Sequence, residues 1–155
     1  IGDVYVVETP KQFIQNAYLQ LNPDNLSEAL FKLEMNEESS GHMIKLEIPE
    51  LQFKAEYKTN SLGAITETIK INPQLWSPLN PKLYEVKISS DAETISDKIG
   101  FRSIKTSGQK IYLNNYEIQF KGIAMHSEPI GIAGPAFSKA HFQKLLLTIP
   151  LAVFV

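Results

Sequence analysis

Three histidines and a scattering of acidic residues are the side chains of this sequence that could carry proton transfer or bind a metal ion. The histidines stand at positions 42, 126 and 141, a spacing that matches no metal-ligand motif. The chain contains no cysteine, which excludes disulfides and thiolate metal sites. It also lacks a glycine-rich phosphate loop and a serine–histidine–aspartate set. We therefore predict no metal site and no cofactor.

The acidic residues fall where solvent is expected to reach them. Glu37 and Glu38 lie in a polar loop, and Glu47, Glu56 and Glu85 occupy the polar positions of alternating strands. Ionised carboxylates are rarely buried without a partner. The simplest interpretation of all five is a solvated surface charge.

The strands that position these residues show a period of two. In "LQFKAEYK", residues 51–58, apolar and polar side chains alternate without a break, so one face is buried and the other is wet. About seven such strands over roughly 100 residues, separated by turn signals, are typical of an immunoglobulin-like antiparallel β-sandwich. The other clear examples are "FKLEM" (31–35), "IKLEI" (44–48) and "YEVKI" (84–88).

A second pattern begins near Gln109. "QKIYLNNYEIQF" predicts a hairpin with Asn114 and Asn115 as its two-residue turn, because asparagine tolerates a positive φ. The elements that follow are apolar on both faces or helical in period, and they predict one βαβ unit of a parallel α/β domain. In order, these are the strand "FKGIAM", a loop from His126 to Phe137, a helix from Ser138 to Pro150 and the strand "LAVFV".

Three motifs together carry a family resemblance. "LWSPLNPKLYEVKI" (75–88), "DKIGFRSI" (97–104) and "IYLNNYEIQFKGIAMHSE" (111–128) resemble glycoside hydrolase family 2 in their order and spacing, and "DVYVVETP" resembles the entry from its jelly-roll domain. The resemblance implies a mainly β chain, in which residues 1–106 form the immunoglobulin-like sandwich. Residues 107–155 would then be the first βαβ unit of an incomplete (β/α)8 barrel.

The same resemblance implies where the chemistry lies. Retaining glycosidases use two carboxylates about 5–5.5 Å apart, and in this family both are glutamates on later barrel strands, beyond Val155. We therefore expect no catalytic residue in this chain. His126, at the carboxyl end of the first barrel strand, is the one expected substrate-binding residue. Arg102 is expected to buttress the junction of sandwich and barrel, and Trp76 to cover the end of the core, with sugar stacking as its alternative role.

We accordingly predict a fragment of a β-galactosidase-like retaining hydrolase that acts on terminal β-linked sugars and is inactive alone. The sequence begins with "DVYVVE", which is expected to be part of a strand, so both ends look cut. A folded core is expected from about Asp3 to Lys105. The alternative is a stand-alone immunoglobulin-like module for carbohydrate binding or adhesion. The βαβ unit favours the fragment, because a free sandwich has no use for it.

Charge and hydropathy limit the partners. A net charge of −2 gives no case for nucleic acid or an anionic membrane, and no apolar run approaches the roughly 20 residues that span a bilayer. The carbohydrate substrate is the expected partner of the intact enzyme. The apolar tail from Leu145 to Val155 predicts self-association. A periplasmic or secreted location is favoured over the cytoplasm.

Overall fold

In the computed structural model, which describes residues 4–37 and 41–120 together with Gln143, nearly all of the regular secondary structure is β-strand. This confirms the mainly β fold predicted from the sequence. The strands in chain order are β1 (Ile14–Leu21), β2 (Glu28–Met35), β3 (Met43–Ile48), β4 (Phe53–Lys58), β5 (Ala64–Lys70), β6 (Tyr84–Ser89), β7 (Thr94–Ile99), β8 (Ile104–Ser107), β9 (Lys110–Leu113) and β10 (Tyr116–Ile118).

Two antiparallel sheets form the sandwich. One has three strands in the order β1-β2-β5, and the other has four in the order β4-β3-β6-β7. Together they supply the number of strands that the turn spacing predicts. A further small sheet, in the order β10-β9-β8, follows the sandwich.

A single core lies between the two sheets. The alternating apolar residues predicted to face inward are buried on β2, β3 and β6, and they join one cluster with residues of β1 and β5. The ring of Phe31 on β2 lies 5.7 Å from that of Tyr57 on β4, so the two sheets pack directly against each other. Each fully buried aliphatic or aromatic side chain of this kind contributes about 1.5–3 kcal/mol relative to an exposed one.

Two local predictions are corrected by the structure. The β-branched opening "DVYVVE" was expected to be part of a strand, but residues 4–10 are exposed and outside any strand. The strand expected from Leu51 begins at Phe53, because Pro49–Leu51 forms a 3-10 turn and Gln52 follows it with a φ of 52°. Strand formation needs a hydrogen-bonding partner as well as suitable residues.

The predicted βαβ unit lies outside the described residues, apart from Phe120 and Gln143. Phe120 is not in a strand, and Gln143 is helical. The chain divides into units of residues 1–116 and 117–155, while the predicted boundary between residues 106 and 107 stays a prediction. No helix among the described residues is long and apolar enough to cross a membrane.

Candidate functional site at the Trp76 corner

The connection between β5 and β6 turns sharply just after Trp76. Ser77 and Asn80 close the turn with two backbone hydrogen bonds, of 3.0 Å from the Ser77 amide and 3.1 Å from the Asn80 amide. Pro78 lies inside this turn and Pro81 directly after it, and each proline fixes φ near −65°. The chain then enters β6 at Tyr84, which confirms the predicted strand "YEVKI".

Trp76 packs against the segment that follows β7. Its backbone amide donates to the carbonyl of Phe101 at 2.8 Å. Its side chain lies so close to Gly100 that a Cβ there would be 2.7 Å from the indole Cδ1. The Arg102 guanidinium carbon is 5.2 Å from the ring centroid, a distance at which cation and aromatic ring attract. The partly buried indole therefore acts as packing for the end of the sandwich.

Asn114 joins the hairpin of β9 and β10 to this corner. Its backbone amide donates to the Ser103 carbonyl at 2.9 Å, and its side-chain oxygen accepts from the backbone amide of Ser103 at 3.0 Å. Its side-chain nitrogen donates to the Trp76 carbonyl at 3.0 Å. The φ angles of Asn114 and Asn115 are 52° and 70°, which confirms the predicted two-residue turn. The sequence predicted this turn but gave no sign of its contact with Trp76.

Tyr84 provides a second link between the corner and the core. Its ring lies 5.6 Å from that of Phe101, and its hydroxyl accepts a hydrogen bond of 2.8 Å from the amide of Gln74. A buried tyrosine at the start of this strand that bonds back to the preceding connection is a known feature of immunoglobulin-like sandwiches. The sequence alone does not predict this bond, and its only available signal is the position of Tyr84 at the first residue of an alternating strand.

The side chains at the Trp76 corner bind backbone groups of neighbouring segments and do not form a site that could react with a ligand. Ser103 is buried beside the corner at 1% exposure, and its Oγ has no hydrogen-bond partner among the described residues. A hydroxyl buried to this degree is not accessible to a substrate. The predicted role of Trp76 in covering the end of the core is consistent with this packing, and the role of Arg102 at the barrel junction stays a prediction.

The outer face of the four-stranded sheet carries an alternating arrangement of charge. Glu47 lies opposite Lys54 on one side and Lys87 on the other, Glu56 lies opposite Lys45, and Glu85 lies opposite Lys98. Cross-strand pairs of opposite charge stabilise a sheet, whereas like charges destabilise it. Glu47, Glu56 and Glu85, which were predicted to face outward, are therefore each paired with a lysine on a neighbouring strand.

Glu47 shows the electrostatic result of this arrangement. Lys45 lies 3.0 Å from its carboxylate, and the hydrogen bond from Lys45 is the main reason that the pKa of the Glu47 carboxyl is lowered. A general acid needs the opposite change, a raised pKa.

The histidines contribute no assembled site within the described residues. His42 is partly buried directly before β3, where its amide donates to the Thr59 hydroxyl at 3.1 Å. His126 and His141 lie outside the described residues, so the substrate-binding role of His126 stays a prediction. Residues 4–37 and 41–120 contain no cluster of three metal-binding side chains.

Comparison with known proteins gives one family match and several similar enzymes. Residues 12–102 match the family "Glycosyl hydrolases family 2", a range that includes β1 to β7. The chain is 27% identical over 145 residues to a β-galactosidase of Staphylococcus xylosus, covering 92% of this chain and 14% of that protein. A β-galactosidase of Arthrobacter sp. (strain B7) is 29% identical over 93 residues, covering 60% of this chain and 9% of that protein.

Solved structures of related enzymes have the same fold. A β-glucuronidase of Lactobacillus rhamnosus matches with a TM-score of 0.60 and 26% identity, covering 89% of this chain and 24% of that one. A β-galacturonidase of Eisenbergiella tayi matches with a TM-score of 0.64 and 21% identity, covering 90% of this chain and 27% of that one. The chain thus spans about one seventh of the length of the first β-galactosidase and about a quarter of these structures.

Proposed function

This chain belongs to glycosyl hydrolases family 2, and we propose that it is the scaffold region of a β-galactosidase-like retaining hydrolase acting on terminal β-linked sugars. The observation that carries the proposal is the family match over residues 12–102, which contains the whole sandwich from β1 to β7. The curated relatives named β-galactosidase support a galactoside as the substrate. The short coverage of those relatives supports the interpretation as one region of a larger enzyme.

The proposed division of labour follows from the chemistry of retaining hydrolysis. The reaction needs one carboxylate as acid and base and a second as nucleophile, about 5–5.5 Å apart. On the outer face of the four-stranded sheet, Glu47, Glu56 and Glu85 each lie opposite a lysine, and the hydrogen bond from Lys45 lowers the pKa of the Glu47 carboxyl. We place the catalytic pair outside this chain, and the chain alone is then inactive. His126 is its proposed contribution to sugar binding.

A comparison of two proteins tests this proposal. The 155-residue chain and the proposed larger enzyme that contains it would each be offered an aryl β-galactoside and an aryl β-glucuronide. We expect turnover only by the longer product, with the higher kcat/KM for the galactoside. Turnover by the purified short chain that is lost on substitution of one of its own glutamates would overturn the proposed absence of the acid pair.

The role of His126 requires a matched pair of variants in the longer protein. His126→Gln is expected to lower kcat/KM, because a contact to the distorted sugar is lost. His42→Gln removes the same side chain from the sandwich and is expected to leave kcat/KM unchanged. Equal effects of the two substitutions would contradict the assignment of His126.

The alternative, a stand-alone carbohydrate-binding module, requires an accessible aromatic platform. Trp76, the single tryptophan, is packed against Gly100 and Arg102 instead. Titration of the short chain with galactose, followed by the fluorescence of Trp76, separates the two possibilities. Saturable quenching of the Trp76 fluorescence by galactose would favour the module.

A further inference from the structure

β4 and β5 are each the last strand of their sheet, so among the described residues each has one edge of backbone donors and acceptors without a neighbouring strand. Such an edge can pair with the edge of another chain, and soluble proteins protect it with charged side chains. β4 has a charged and exposed residue at every second position, namely Lys54, Glu56 and Lys58. β5 has a single charge before its last residue, that of Glu67.

The other residues of β5 are well suited to strand pairing. Apart from Glu67, residues 64–69 are uncharged. Four of them are β-branched: Ile65, Thr66, Thr68 and Ile69. β-branched residues favour strands, and an uncharged run of such residues on an exposed edge promotes pairing between chains. The charge of Glu67 is therefore the feature of β5 that opposes such pairing.

Glu67 lies in the row of β5 side chains that face the core. The two neighbours of Glu67 in that row, Ile65 and Ile69, are buried. Glu67 is also directly opposite Phe31 of β2, which is fully buried, and opposite residues of paired strands point to the same face. Glu67 is nevertheless exposed, so its carboxylate reaches water at the open edge of the sheet.

A residue of the other sheet shows that the Glu67 charge lies beside the gap between the sheets. The ring of Tyr57 on β4 lies 5.7 Å from that of Phe31. Burial raises the pKa of the Tyr57 phenol, and the nearby charge of Glu67 raises this pKa further. Tyr57, Phe31 and Glu67 are therefore neighbours where β4 and β5 border the core. A strand added to the edge of β5 would cover this region and separate the carboxylate from water.

We propose that Glu67 prevents β5 from pairing with the β5 strand of a second copy of this chain. β5 runs from Ala64 to Lys70, so Glu67 is its central residue. The antiparallel pairing that uses the whole strand would therefore place the two Glu67 carboxylates directly opposite each other. Like charges in this position destabilise a sheet. Removal of an ionised carboxylate from water without a compensating partner is also strongly unfavourable.

Glu67→Val tests the proposal in the 155-residue chain, because it removes the charge and supplies a residue that favours strands. We expect the association constant in sedimentation equilibrium to rise several-fold above that of the unsubstituted chain. Glu34→Val is the matched control, since it makes the same change at an exposed position of β2, which has a paired strand on each side. Equal increases in the two variants, or no increase in Glu67→Val, would overturn the proposal.

Hydrogen exchange locates the new contact in the associated variant. In Glu67→Val, the β5 amides that do not bond to β2 should exchange more slowly as the protein concentration is raised. Exchange in β7, an edge strand of the other sheet, should not depend on concentration. Association of Glu67→Val without slower exchange in β5 would overturn the proposal. The same slowing in the unsubstituted chain would overturn it too, because Glu67 would then not prevent the pairing.

A charge reversal tests the register of the prevented pairing. Glu67→Lys alone should associate no more than the unsubstituted chain, because two lysines would then lie opposite each other. An equimolar mixture of Glu67→Lys and unsubstituted chain should associate several-fold more than either protein alone, because opposite charges in this position stabilise a sheet. The corresponding mixture with Glu34→Lys should show no increase. If the Glu67→Lys mixture associates no more than its components, the proposed register is wrong and the proposal fails with it.

Discussion

The contact between Gly100 and Trp76 gives the sharpest prediction about stability. In Gly100→Ala, the new methyl carbon would lie 2.7 Å from Cδ1, 2.8 Å from Cγ and 2.9 Å from Cβ of Trp76. Trp76 cannot move away freely, because its amide donates to the Phe101 carbonyl and its carbonyl accepts from Asn114. Overpacking of this kind typically costs about 1–3 kcal/mol of the free energy of unfolding. For a domain of this size we expect Tm to fall by about 4–8 °C for each kcal/mol.

Chemical denaturation followed by far-ultraviolet circular dichroism measures this loss without relying on Trp76 as a reporter. Gly108→Ala is the matched control, since a Cβ there meets no atom within 4 Å and only the φ of 58° opposes it. In a Trp76→Ala background, two of the three close atoms are gone, so Gly100→Ala should cost less. An equal cost in the two backgrounds would refute the steric explanation, because a double-mutant cycle isolates the pairwise term.

Three further predictions concern the corner and the core. Asn114→Ala should lower the free energy of unfolding by about 2–3 kcal/mol, because two side-chain hydrogen bonds and the tolerance of a positive φ are lost. Asn115→Gly should leave the free energy of unfolding unchanged. Equal effects of the two substitutions in denaturation curves would contradict this prediction. Tyr84→Phe should cost about 1–2 kcal/mol, because a backbone amide loses its acceptor, and an unchanged denaturation midpoint would argue against that bond. The pKa of the Tyr57 phenol is raised, mainly by burial and to a lesser extent by the nearby charge of Glu67. Folding therefore favours the protonated phenol. The contribution of Tyr57 to stability should fall as pH rises above the pKa that this phenol has in the unfolded chain. Spectrophotometric titration should show Tyr57 ionising at lower pH in Glu67→Gln, and a rise instead would contradict the electrostatic contribution.

Much of the sandwich could be predicted from the sequence, because the alternation of apolar and polar residues in each strand indicates which face is buried. Phe31, Leu33 and Met35 alternate with polar residues, and this local period is enough to show which side is buried. The Asn114–Asn115 turn was predictable for a similar reason, since the positive φ is a property of the two residues themselves. The outward positions of Glu47, Glu56 and Glu85 could be predicted from the same alternation, whereas the lysines that lie opposite them could not.

What only the tertiary structure decided is which distant segments meet. Asn114 and Trp76 are 38 positions apart, and no period or turn signal relates them. The segment from Val4 to Val7 has the composition of a strand but forms none among the described residues, because a strand exists only when another edge supplies its hydrogen bonds. Local sequence determines the face and turn of each element, whereas pairing between elements depends on the whole fold.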